Sequence, residues 1–293
     1  MKTPIFRGAG VAIITPMYAD GSVNYEKYRE LIEEQIQNGT DAIISCGTTG
    51  ESSTLDNDEH CLVLRTAIEQ TAGRVPVIAG TGSNDTNYCI TLSKEAQAMG
   101  ADGLLLVTPY YNKASQKGLY LHYTAIADAV DIPIILYNVP SRTGVEIKPE
   151  TVAKLAQHKN IVAIKDATGN LSTTAKIAAH CDIGIYSGND DQIVPILSLG
   201  GIGVISVLSN ILPRETHNIC QRFFDGDVKG SCELQLKYLD LINALFSDVN
   251  PIPDKEAMNL CGRDVGPCRL PLCSMEDGAR AALAQTLRQA GLL

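Results

Sequence analysis

A chain of 293 residues with 45% apolar and 19% charged side chains is long enough for one large compact domain or two smaller ones, with a sizeable core. Its 33 acidic against 24 basic side chains leave a net charge of −9. That balance excludes the basic footprint of a nucleic-acid binder or of a cationic membrane-surface helix, and leaves a small-molecule enzyme or binding protein as the default.

Short apolar, β-branched runs recur in chain order: Val11 to Thr15, Ala42 to Cys46, Val75 to Ala79, Gly103 to Thr108, Pro133 to Asn138, Ile161 to Asp166, Ile183 to Ser187 and Gly203 to Val207. Near-continuous apolarity, as opposed to alternation, is what strands covered on both faces need, as in a parallel sheet sheathed by helices. Helical segments fall between them. Tyr25 to Asn38 aligns Tyr28, Leu31, Ile32, Gln35 and Ile36 on one face and stops at Gly39; Asp85 to Met99 stops at Gly100 in the same way. Pro149 and Pro213 precede Glu150 to His158 and Arg214 to Phe224, where the first helical turn tolerates a missing N–H.

Eight strand-helix units without a Pro-, Gly- or Ser-rich linker predict a closed (β/α)8 TIM barrel over residues 1–226, in preference to an open doubly wound sheet. Residues 227–293 carry no strand signal, only the helical stretches Ser231 to Phe246, Lys255 to Leu260 and Met275 to Ala290, and read as a carboxy-terminal helical extension packed on the barrel. Met1 to Arg7 lacks the apolar run of a signal peptide, and no segment of about 18 apolar residues suggests a membrane span, so a cytoplasmic protein is expected. Nine dispersed cysteines without a CxxC pair predict free thiols. Five histidines without HxH, HxxxH or HExxH spacing give no support to a metal site.

In such a barrel, chemistry sits at the carboxy-terminal ends of the strands. The residues there are Gly47-Thr-Thr-Gly-Glu-Ser52, Thr108-Pro-Tyr-Tyr111, Tyr137-Asn-Val-Pro-Ser-Arg142, Lys165-Asp166, Ser187-Gly-Asn-Asp190 and Ile205-Ser206. Lys165 closes an apolar run. Burial disfavours an ammonium and supplies the neutral amine that forms a Schiff base with a carbonyl substrate; the alternative is a lysine paired with Asp166 at the barrel edge. Tyr137, one strand earlier at the same height, is either a core phenol bonded to a backbone group or a proton donor and acceptor. Thr48 and Thr49 are either turn residues or donors to a carboxylate. Arg142 is either a surface arginine or a two-point carboxylate clamp. Gly80-Thr-Gly82 and Gly200-Gly-Ile-Gly203 lack the spacing of a dinucleotide fingerprint or P-loop, and no GxSxG elbow is present. Ser187-Gly188 has no basic neighbour that would support a phosphate site.

With these residues in place, the chain resembles the dihydrodipicolinate synthase family, within the class I pyruvate aldolase and lyase superfamily. The likeness covers nearly the whole chain, from Gly10-Val-Ala-Ile-Ile-Thr-Pro16 through Gly47 to Ser52, Val107 to Asn112, Leu136 to Gly144, Ala163 to Gly169 and Gly203 to Val207, to Asn250-Pro-Ile-Pro253. The resemblance implies condensation of pyruvate with L-aspartate 4-semialdehyde towards diaminopimelate and lysine, with no metal or organic cofactor. It implies Lys165 as the imine-forming residue and Tyr137, Thr48 and Tyr111 as a proton relay, Tyr111 reaching into a neighbouring subunit. It implies Thr49 on the pyruvate carboxylate, Arg142 on the semialdehyde carboxylate, and Gly188 and Ile205 lining the pocket. A homo-oligomer, a tetramer built from two dimers, is the family habit. N-acetylneuraminate lyase and other keto-acid aldolases of the superfamily keep the lysine and tyrosine; the Thr48-Thr49 pair and Ser141-Arg142-Thr143 favour the synthase. A non-catalytic keto-acid-binding barrel has no chemical reason to keep Lys165, Tyr137, Thr48 and Tyr111 together. One departure stands out. Lysine-inhibited members use a histidine and a glutamate where this chain has Asn57 and Tyr88, while Ser52, His60, Asn84 and Tyr110 match, which implies weak or absent lysine inhibition.

Overall fold

A computed structural model describes residues 2–293. Eight parallel strands close on themselves in sequence order: β1 (Gly8–Ala12), β2 (Ala42–Ser45), β3 (Val77–Gly80), β4 (Gly103–Val107), β5 (Ile134–Asn138), β6 (Ile161–Asp166), β7 (Gly184–Ser187) and β8 (Gly203–Ser206), with β8 pairing back onto β1. Helices follow them on the outside: α1 (Tyr25–Gln37), α2 (Asn57–Thr71), α3 (Thr86–Met99), α4 (Gln116–Ala129), the short α5 (Pro140–Thr143), α6 (Pro149–Leu155), α7 (Leu171–His180), α8 (Ile193–Ser198) and α9 (Pro213–Phe224). After α9 come α10 (Val228–Lys237), α11 (Leu239–Ala244), α12 (Ile252–Leu260) and α13 (Asp277–Gln289). The expected (β/α)8 barrel with carboxy-terminal helices is the observed fold.

Alternation along each strand divides the core in two. Ile44, Ile78, Leu105, Ile135, Tyr137 and Ile205 belong to the cluster inside the barrel, where Phe6, ahead of β1, stacks on Tyr186 at 4.3 Å between ring centroids. Ile43, Leu104, Ile134 and Ile164 face outward and pack with helix residues such as Tyr28, Leu64 and Tyr123. Helix ends follow the residue chemistry. Asn24 and Asp85 accept hydrogen bonds from Lys27 and Tyr88 N–H groups at the starts of α1 and α3, Asp56 and Glu59 form a reciprocal capping box on α2, and Gly100 ends α3 in the left-handed conformation.

Two expectations are corrected. The first strand begins three residues earlier than the apolar run suggested and ends at Ala12. Its glycines are places of close approach: a Cβ on Gly10 would stand 2.6 Å from Ile44 Cδ1, and one on Gly8 would stand 2.1 Å from Asp41 Oδ2. The helix expected over Ser231 to Phe246 is broken at Tyr238, so that α10 packs on α9 while α11 turns to pack on α13. All nine cysteines are free thiols, and among the described residues no helix is long and apolar enough to cross a membrane.

Candidate active site

The β5–β6 ladder sets the centre of the site. Tyr137 and Lys165 are direct register partners, and both point into the barrel mouth. The Lys165 Nζ lies 4.3 Å from the centroid of the Tyr137 ring, and each residue is only 6% exposed. The next residue, Asp166, faces the other way: its carboxylate accepts from Thr174 Oγ1 at 2.6 Å and from Thr168 N at 3.0 Å. The edge pairing of Lys165 with Asp166 is therefore overturned, because successive strand residues point to opposite faces. Tyr137 belongs to the core cluster inside the barrel, and among the described residues its hydroxyl bonds to no backbone group.

A cavity of about 150 Å³ opens above this pair, lined among others by Lys165, Tyr137, Thr48, Thr49, Arg142 and Gly188. Thr48 and Thr49 come from the tight loop after β2, in which Glu51 N donates to Thr48 O at 3.1 Å and Thr15 Oγ1 donates to Gly50 O at 2.7 Å. Thr49 is buried, and its Oγ1 accepts from Asn250 Nδ2 at 2.9 Å. Arg142, in α5, is exposed, yet its Nη2 donates to Asn250 O at 3.2 Å, which holds the guanidinium at the cavity.

Two of the candidates stand apart from this group. Ile205 is buried on β8 beside Gly10 and is not a lining residue of the cavity. Tyr111 is 90% exposed, does not line its own chain's cavity, and has a backbone φ of 73, in a region that a bulky side chain rarely adopts.

Residues that sequence reasoning did not single out complete the site, and most come from the helices after the barrel. Phe246 and Asn250 line the cavity. Lys255 Nζ lies 2.6 Å from Glu51 Oε1, both side chains almost fully buried, as an ion pair off the hydrogen-bonding direction. The same ammonium donates to Pro267 O at 2.8 Å, and Arg269 N donates to Glu51 Oε2 at 2.9 Å. Asn250-Pro-Ile-Pro253 belongs to the blocks that carry the family resemblance, but nothing in the sequence assigns Asn250 a place at the cavity.

Two carboxyl groups, Asp190 and Asp254, are buried in the fold. Burial raises Asp190 above the ordinary carboxylate range, opposed by hydrogen bonds from Ser206 and from the Leu208 and Val207 N–H groups, each N–H at 3.0 Å, and by the charge of Lys165. Burial, and then the proximity of Asp190, raise Asp254 well above that range. Burial also pushes the Cys46 thiol up to about 12, which keeps it from acting as a thiolate nucleophile.

A second cavity, of about 260 Å³, adjoins the first through Thr48 and Arg142 and is lined also by Ser52, His60, Tyr88 and Tyr110. Tyr88 Oη donates to Asn57 Oδ1 at 3.4 Å beside it. Burial holds the His60 imidazole below its usual pKa, against its hydrogen bond to Gly80 O, so the ring is neutral at pH 7.

The model of the dihydrodipicolinate synthetase family matches residues 5–290. A 4-hydroxy-tetrahydrodipicolinate synthase of Lachnoclostridium phytofermentans is 60% identical over 292 residues, covering 99% of each chain. The crystal structure of dihydrodipicolinate synthase from Aquifex aeolicus superposes with a TM-score of 0.96 at 44% identity, over 98% of this chain and 99% of that one. A dihydrodipicolinate synthase variant described as monomeric superposes equally well, TM-score 0.96, at 41% identity over 99% and 98% of the two chains. Likeness of this extent, running through every strand end that builds the cavity, makes the chain a member of the dihydrodipicolinate synthetase family.

Proposed function

We infer that the chain is an enzyme that condenses pyruvate with L-aspartate 4-semialdehyde, in the route to diaminopimelate and lysine. Relatives carrying that activity in their name align over essentially the full chain at up to 60% identity. The observation that carries the chemistry is the pairing of Lys165 with Tyr137 across the β5–β6 ladder, at the floor of a small polar cavity.

The residue roles follow from the groups available. Lys165 Nζ adds to the keto carbon of pyruvate, and loss of water leaves an imine. The protonated imine draws electrons from the methyl group, a proton leaves, and the resulting enamine carbon attacks the aldehyde carbon of the semialdehyde. The amino group of the semialdehyde then attacks the imine carbon, closing the six-membered ring and expelling the lysine amine. Tyr137 and Thr48 carry protons to and from these centres. Thr49 donates its hydroxyl to the pyruvate carboxylate, beside the backbone of Gly188. Arg142, whose planar fork matches a carboxylate, takes that of the semialdehyde. Tyr111, exposed on its own chain, enters this scheme as the third relay member by reaching the cavity of a neighbouring subunit. A homo-oligomer, built as a dimer of dimers, is thus part of the proposal, as is a cytoplasmic location.

The test is borohydride trapping with pyruvate, followed by peptide mapping. A reduced pyruvyl adduct on Lys165, lost in Lys165→Ala together with turnover of the semialdehyde, is expected; undiminished turnover by that variant sinks the imine scheme. Turnover of N-acetylmannosamine in place of the semialdehyde would move the chain to the lyase branch with the same adduct.

The second cavity carries a prediction about regulation. None of its lining residues is acidic, and Tyr88 is engaged with Asn57. The ammonium of a lysine effector would go unpaired there, which is costly away from bulk water. Initial rates are expected to change less than twofold up to millimolar lysine, and strong inhibition at low lysine overturns the argument.

A further inference from the structure

Asn250 makes one bond through its side-chain amide N–H and another through its main-chain carbonyl. The residue is 5% exposed and lines the cavity that holds Lys165. Its Nδ2 donates to Thr49 Oγ1 at 2.9 Å, its main-chain oxygen accepts from Arg142 Nη2 at 3.2 Å, and its Oδ1 is buried with no partner. A hydroxyl has one proton and two acceptor positions. An amide N–H seated on one acceptor position leaves the Thr49 proton to be donated elsewhere. In this cavity the group that can receive it is a substrate carboxylate. An aspartate at the same place would reverse that polarity, capturing the hydroxyl proton and presenting a charge of the same sign as the substrate.

We propose that Asn250 is a positioning residue for the keto-acid subsite: its side-chain amide fixes the Thr49 hydroxyl as a donor to the pyruvate carboxylate, while its main-chain carbonyl holds Arg142. The proposal rests on the reading of Thr49 as the group that binds that carboxylate. It assigns the segment after the barrel a part in substrate binding, and it splits the two substrates between two ends of one residue. The side chain serves pyruvate. The backbone, which no side-chain substitution removes, serves the semialdehyde.

The experiment compares wild type, Asn250→Ala, Asn250→Asp, Thr49→Val and the Asn250→Ala/Thr49→Val double variant in two measurements. One is the pyruvate concentration that half-saturates borohydride trapping on Lys165, which needs no second substrate. The other is the KM for the semialdehyde at saturating pyruvate. Loss of one hydrogen bond that acts through a charged group is expected to raise pyruvate half-saturation about tenfold in Asn250→Ala. The isosteric Asn250→Asp keeps the packing and is expected to raise it further, while the semialdehyde KM in Asn250→Ala stays within about twofold. In the Thr49→Val background, Asn250→Ala is expected to add less than twofold, because the residue acts through that hydroxyl. Equal effects of Asn250→Ala in both backgrounds, or an effect on the semialdehyde KM alone, overturn the role of Asn250 and leave Thr49 untouched. Unchanged half-saturation in Thr49→Val itself overturns the Thr49 reading, and the Asn250 proposal with it. A general loss of folding would lower the trapped fraction without moving the half-saturation point; that outcome in Asn250→Asp as well as Asn250→Ala also counts against the proposal.

Discussion

In the proposed scheme Tyr137 stands next to a nitrogen that loses and regains protons, and its ring lies 4.3 Å from the Lys165 Nζ. Those two contributions can be separated. Tyr137→Phe keeps the ring and removes the hydroxyl, so kcat is expected to fall by about 10²–10⁴, the usual worth of a positioned proton carrier. Trapping of the pyruvyl adduct on Lys165 is expected to persist, at a lower rate. A variant with near-normal kcat would reduce Tyr137 to packing. The two residues were legible in the sequence for a simple reason: a period-2 strand with a reactive group at its carboxy-terminal end has few places to point it. Asn250 was not legible, because its partners Thr49 and Arg142 lie 201 and 108 residues away in the chain and no local pattern encodes such a pairing.

At the scale of the elements, α12 and the loop after β2 are fastened by Lys255 and Glu51, whose side chains are 2% and 0% exposed. Removing one member of a buried pair leaves the other charge without compensation, so Lys255→Ala is expected to cost about 3–5 kcal/mol, read as a lower urea midpoint. Activity measured below that midpoint should fall too, because Glu51 shares its loop with Thr48 and Thr49. A loss under about 1 kcal/mol would mean that water or Arg269 replaces the ammonium. The same scale shows where pattern reading succeeds and fails. β6 was readable residue for residue, since Ile161 to Asp166 is bounded by polar and glycine-containing turns. β1 was displaced because its glycines, poor strand formers in isolation, are chosen for close approach to Asp41 and Ile44. The break at Tyr238 answers to packing partners on either side, α9 and α13, which local periodicity does not report.

For the molecule as a whole, the exposure of Tyr111 is the feature that a single chain leaves unused. If Tyr111 of one subunit completes the relay of another, co-expressed Lys165→Ala and Tyr111→Phe chains should regain activity that neither has alone, since each mixed dimer holds one site with both groups intact. Absence of recovery in mixed dimers verified by mass would place the relay within one chain. The seam that closes the barrel has a different consequence. Gly8 on β1 pairs with Gly203 on β8, Met17 N donates to Val265 O, and Arg269 N reaches Glu51 across 218 residues. The loop that carries Thr48 and Thr49 is thus synthesised well before the segment around residues 250–269 that supplies its supports. Chains arrested before residue 250 lack Asn250, Lys255 and Arg269, and are expected to leave this loop without those anchors however well their strands have paired. In the proposed scheme, a keto-acid subsite built on Thr49 therefore depends on residues some two hundred positions further along the chain.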